Sequence, residues 1–161
     1  MKKEERIDLI ILLISPVIGS LLSHLLKINA FGSVIVFFGL PSLYLTIRAP
    51  EYSKKSMIFS VIASFPIIII IDYIAHINNQ WLIPNSIFSF RIFEVVTFEV
   101  ILWAILNIYL VIMFYEYFLD KHIVKKIWHP HLKYMILVSL VLFITFLSLY
   151  FYLPSYLNTP Y

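Results

Sequence analysis

The sequence predicts an all-α polytopic transmembrane helical bundle of about five spans, with its N-terminus in the cytoplasm. Three observations lead there. Hydrophobic residues make up 61% of the 161 residues and charged residues only 13%, where a soluble domain is roughly a quarter charged; the mean hydropathy is +0.93. The apolar residues form five long continuous runs, not alternating ones, which selects helices over a closed barrel. Ten of the twelve lysines and arginines fall in segments that such a bundle places on one side. A soluble fold of this size cannot hide so much apolar surface, and a disordered chain is polar.

The spans follow in order. The first, 7–26, comes after Lys2, Lys3 and Arg6, much as the apolar stretch of a signal peptide would. It is about 20 residues long, enough to cross, and no small-residue cleavage site follows, so it reads as a retained span. The second, 28–47, carries Gly32, Gly39 and Pro41. The third, 57–77, contains Pro66, the fourth is 92–118 and the fifth 134–153. Each reaches across roughly 30 Å of hydrocarbon as a helix. What remains suffices for short connections in a single membrane domain, so function is expected inside the membrane or at its two surfaces.

Orientation follows from lysine and arginine. Lys2, Lys3 and Arg6, then Arg48, Lys54 and Lys55, then Lys121, Lys125, Lys126 and Lys133 share the cytoplasmic side, leaving Lys27 and Arg91 opposite. The net charge of +3 therefore reflects topology, and no nucleic-acid partner is expected. Trp81, Tyr115, Tyr117, Trp128, Tyr134, Tyr150 and Tyr152 lie near span ends, as an interfacial belt does.

Charged groups at membrane depth are costly and mark functional sites by default. Span three carries Asp72 and His76. Span four carries Glu94, Glu99 and Asn107, with Glu116 near its cytoplasmic end. Span three runs outward and span four inward, and consecutive elements are usually neighbours, so both acids and the His–Asp pair are expected in one region of the outer third. Asp72 and His76 share a helix face, as do Glu99, Trp103 and Asn107. Glu94 stands roughly 140° around the helix from Glu99. Glu99, about 10 Å below the start of its span by the helical rise, is thus expected as the pocket acid, with Glu94 at the interface beside Arg91. A plainer reading stands next to this one: Asp72 and His76 solvated at the headgroups, Glu94 opening a helix, and Asn107 joining helices.

Several chemistries are excluded or disfavoured. There is no cysteine, hence no disulfide, thiolate site or cysteine nucleophile. Asp8, Asp72 and Asp120 are isolated, unlike the paired aspartate-rich loops of membrane prenyltransferases, and five histidines are too few for a di-iron desaturase. His122, His129 and His131 lie in one cytoplasmic connection, but a metal needs three or four converging ligands, and none is expected here. No span holds a mid-membrane lysine for a retinal Schiff base, and three glycines make no phosphate loop. Gly19-Ser20 followed by His24 reads as helix packing.

One constellation is distinctive: Asp72, then Trp81, then Phe98-Glu99-Val100-Ile101-Leu102-Trp103. It resembles the membrane lycopene cyclase domain family, the heterodimeric or fused carotenoid cyclases of actinobacteria, archaea and fungi. That family has an aspartate closing one span, a tryptophan in the following loop, and a Pro-x-Glu-Glu motif opening the next. The likeness covers about 28–120. Asp72, Trp81 and Glu99 fall at the family's aspartate, tryptophan and first glutamate. Thr97 stands in place of the proline and Val100 in place of the second glutamate, so the family's paired acid is absent.

The resemblance implies an acid-catalysed, redox-neutral cyclisation of a polyene end group, without cofactor or metal. Glu99 would supply the proton, since apolar surroundings keep a carboxyl group neutral. Asp72 or His76 would take the final proton. Trp81 and Trp103 would stabilise the carbocation with their ring faces, and Glu94 and Asn107 would border the substrate. The implied partners are an apolar polyene or isoprenoid substrate delivered by the lipid, and a second copy or a partner membrane subunit. The implied location is the cytoplasmic membrane of a prokaryote. A non-catalytic membrane protein, an accessory subunit or a binder of an apolar ligand, would use the same polar cluster for packing or docking.

Overall fold

The computed structural model describes residues 3–81, 83, 86–120, 132–153 and 157. It is an all-α bundle with five helices long and apolar enough to cross a membrane: α1 (Lys3–Leu26), α2 (Ala30–Arg48), α3 (Pro50–Ile77), α4 (Phe98–Phe118) and α5 (Leu132–Tyr152). Between α3 and α4 a short antiparallel hairpin pairs β1 (Arg91–Ile92) with β2 (Val96–Thr97). The histidine-bearing connection 121–131 lies outside the described residues.

Local chemistry sets the turns. Lys27 takes a left-handed φ of 47° after α1, and Ile28 N–H returns to Ser23 O at 3.2 Å, the bond of a helix-ending Schellman motif. Asn29 then caps α2 by accepting from Gly32 N–H at 2.9 Å. Gly19 faces α2, where a Cβ would come within 3.1 Å of Val36 Cγ1; its missing side chain lets α1 and α2 close up, the packing role expected for it. Within α2, Pro41 has no N–H and its ring crowds the carbonyl four residues back. The helix takes a π turn over Ile35–Gly39 just before it, with Leu40 N–H reaching Ile35 O. Ala49 alone separates α2 from α3, and Pro50 opens α3.

Helices α3 and α4 form the most extensive pair, α5 packs on α3, and α1 lies mainly on α2. One core gathers Ile68, Ile69, Val100, Ile101, Ala104 and Phe146 between α3, α4 and α5. A second joins Leu12, Leu45, Tyr109 and Met113 from α1, α2 and α4. On α3 the buried Ser56, Ser60 and Ser64 each return their hydroxyl to a carbonyl one turn back. These small, internally satisfied side chains let neighbouring helices approach closely.

At the basic end, Asp8 of α1 is 3% exposed. It accepts from the Tyr44 hydroxyl at 2.5 Å, from Arg48 Nε at 3.0 Å and Nη2 at 2.8 Å, and from the Tyr117 hydroxyl. The sequence suggests only topology for Arg48 and an interfacial belt for Tyr117. The structure joins both to Asp8 and so ties α1, α2 and α4 together.

The fourth span differs from expectation. The hydropathy pattern starts it at 92, whereas α4 begins at Phe98. Residues 91–97 instead form the hairpin, with Arg91 opposite Thr97 and Ile92 opposite Val96. Val95-Val96-Thr97 is a β-branched run that favours extended backbone, and a short apolar run does not distinguish strand from helix. At the turn, Phe93 and Glu94 have φ of 51° and 65°, strained for side chains of this size. Phe93 is held there by Tyr73, Phe146 and Tyr150, whose ring centroids lie 6.4, 5.8 and 4.7 Å away.

Candidate functional site

The site forms at the end of the bundle opposite Asp8. Helix α3 ends at Ile77; Asn79 turns left-handed (φ 53°), and Gln80 N–H returns to Ala75 O at 2.8 Å. This sharp ending brings the loop back over the helix. Trp81 Nε1 then donates to Asp72 Oδ1 at 2.7 Å. Asp72 is only 4% exposed, and His76 follows it one turn further on along α3.

Glu99 lies in the first turn of α4 and is 1% exposed. It is therefore not about 10 Å down a helix by rise, as a span starting at 92 would place it. Burial comes from the returning loop. Ile87 N–H donates to Oε1 at 2.8 Å, and Ser86 Oγ lies 2.9 and 2.8 Å from the two carboxyl oxygens. One hydroxyl proton serves one acceptor at a time, so Ser86 swings between the two oxygens or to Phe88 O at 2.9 Å. Free N–H groups at the start of a helix also suit a carboxylate. These contacts hold the carboxyl group in a fixed pose.

Glu99, Trp81 and Trp103 line one cavity of about 310 Å³, whose other walls are Ala30, Val34, Ile83 and Val100. That is at the lower end of small-molecule sites, roughly 300–1,000 Å³, a size for an end group and not for a long chain. Among the described residues its only charged wall is Glu99. Val100 faces the same space. Trp81 also borders a second hollow with Ile71, Ile74, Ala75, Asn78 and Gln80, and so links Asp72 to both spaces.

The structure thus brings together Glu99, Trp81 and Trp103, and joins Asp72 to them through the Trp81 indole. His76 is half-buried beside Asp72 and does not line the cavity. Asn107 is half-buried, two turns below Glu99, and does not reach the cavity either. Glu94 is exposed at the hairpin turn. The helical phase angle between Glu94 and Glu99 has no meaning there, because Glu94 is not on the helix. Arg91 donates to Ile83 O and Val95 O at 3.4 Å instead of pairing with Glu94.

Sequence reasoning missed Ser86 and the Ile87 amide. The available signal was Pro84-Asn85-Ser86, turn-forming residues between two apolar stretches. Among the described residues no group of three or more metal-ligating side chains converges. Comparison with known proteins gives no match: no family model, no curated protein and no solved structure matches this chain.

Proposed function

We propose that this chain binds the end group of an apolar polyene in the Glu99 cavity and cyclises it, as a lycopene cyclase-like isomerase of carotenoid biosynthesis. The observation that carries the reading is a buried carboxyl group, Glu99, in the wall of a cavity that is otherwise apolar and aromatic among the described residues. In this reading Glu99 gives a proton to the terminal double bond. An internal double bond attacks the resulting cation and closes the ring. A ring carbon then returns a proton to the Glu99 carboxylate, so atoms balance and no oxidant or reductant is consumed. The Ser86 hydroxyl and Ile87 N–H stabilise that carboxylate between the two transfers. The Trp81 and Trp103 faces stabilise the cation. Asp72, with His76 beside it, acts as a positioning residue through Trp81.

The reading places the protein in the cytoplasmic membrane of a prokaryote, basic end inside, with a second copy or a partner membrane subunit completing the active unit. Expression in a lycopene-accumulating bacterium, followed by pigment analysis, tests it. Monocyclic or bicyclic products support it; unchanged lycopene, with and without candidate partner subunits, overturns it.

Val100 favours a second reading. With no second acid in the cavity among the described residues, the chain would hold an apolar ligand without converting it. Unconverted lycopene co-purifying with the protein, and lost on filling the cavity by Val100→Trp, would mark that role.

A further inference from the structure

A groove between α2, α3 and α4 lies toward the basic end, away from the Glu99 cavity. It has a volume of about 410 Å³ and is lined by Gly39, Ser42, Leu43, Thr46, Ser53, Lys54, Met57, Leu106 and Tyr109. Its chemistry is graded along all three helices. On α2 the wall runs from Gly39 and Leu43 to Thr46, on α3 from Met57 to Lys54 and Ser53, and on α4 from Leu106 to Tyr109. In each case the apolar residue is deeper and the polar one nearer the basic end. Ser42, midway, is occupied with Leu106 O at 3.5 Å.

The cation in this groove is available. Arg48 is engaged by Asp8 and Glu4, and Lys55 by Glu116 at 3.8 Å, whereas Lys54 pairs with no carboxylate among the described residues. The hydroxyl groups nearby are already engaged: Thr46 donates to Ser42 O at 2.8 Å, Tyr109 lies 2.7 Å from Thr46 Oγ1, and Ser53 donates to Pro50 O at 2.8 Å, so Lys54 is the group left for an anion. A lysine cation above an apolar slot between helices suits an amphiphile with an anionic head. Free phosphate would use the upper part only. The apolar depth at Leu43, Met57 and Leu106 needs a hydrocarbon chain to fill it.

We propose that this groove is a binding site for an anionic phospholipid, its phosphate at Lys54 and its acyl chain against Leu43, Met57 and Leu106. Basic pockets between spanning helices suit such headgroups. Purified full-length protein in detergent, titrated with phosphatidylglycerol or phosphatidylcholine and read by native mass spectrometry, tests it. The expected result is one saturable phosphatidylglycerol adduct preferred over phosphatidylcholine. Lys54→Ala should weaken it roughly fivefold, the share of one basic residue at an anionic surface, and Lys54→Arg should retain it. Met57→Trp, which fills the deep part, should lose the adduct with Lys54 intact. Equal binding of the two lipids, or unchanged binding in Lys54→Ala, overturns the proposal. Displacement of the adduct by inorganic phosphate at matching concentration would also overturn it, since that marks a phosphate site with no use for a chain. Circular dichroism of each variant separates lost binding from lost fold.

Discussion

The indole nitrogen of Trp81 donates a 2.7 Å hydrogen bond to Asp72, nine residues earlier on α3. This bond fixes where the loop returns to the bundle, and the same tryptophan forms a wall of the Glu99 cavity. Trp81→Phe keeps the ring and removes the donor, leaving a buried carboxyl group short of a partner. The expected cost is about 1–2 kcal/mol, read as a lower thermal midpoint in detergent. In a double-mutant cycle with Asp72→Leu, which removes the acceptor, the two losses should be less than additive; full additivity would mean that the bond does not couple them.

Ser86 and the Ile87 amide hold Glu99. Ser86→Ala removes the hydroxyl that lies 2.9 and 2.8 Å from the two carboxyl oxygens. Product formation in the pigment assay should fall at least about tenfold, below the hundredfold or more seen for a whole oxyanion donor, because Ile87 N–H remains. The midpoint should fall by only about 1 kcal/mol in stability. Equal loss of both would mark Ser86 as structural alone.

Asp8 is the lock of α1. Asp8→Ala leaves Arg48, Tyr44 and Tyr117 without their shared acceptor, at a cost of about 2–3 kcal/mol. Arg48 is partly exposed and can re-solvate, so the cost sits below that of a fully buried pair. Hydrogen exchange should rise in α1 before α3 or α4, because α1 packs mainly on α2. Uniform loosening of all helices would contradict this.

Glu94 holds a left-handed turn position and is exposed. Glu94→Gly relieves that strain and should raise stability by about 1 kcal/mol, with product formation unchanged. A drop in activity would show that Glu94 contributes to the site after all.

The bundle was legible in the sequence because hydropathy measures what a bilayer selects. The pairing of α3 with α4 was legible because they are consecutive. The start of α4 was not, since Ile92–Thr97 is as apolar as a helix and only its β-branched residues and the strained Phe93 turn betray a hairpin. Glu99 lines the cavity, but the depth expected for it rests on a span starting at 92, which the helix start at Phe98 removes; Trp81 and Trp103 come from the resemblance, and Asn107, on the same stripe, stays outside. The donors from Ser86 and Ile87 were invisible, because they depend on how a loop folds back. Asp8 was overlooked for a different reason: its partners lie on two other helices, 36 to 109 residues away, and no periodicity reports such contacts.

The most direct test of the central claim compares the wild-type chain with Glu99→Gln in one lycopene-accumulating strain, at matched membrane protein levels. Gln keeps the shape and loses the transferable proton. The account predicts cyclic carotenoid with the wild type and a fall of about a hundredfold or more with Glu99→Gln, the usual scale for a lost general acid. Cyclic product at wild-type levels from Glu99→Gln would contradict it.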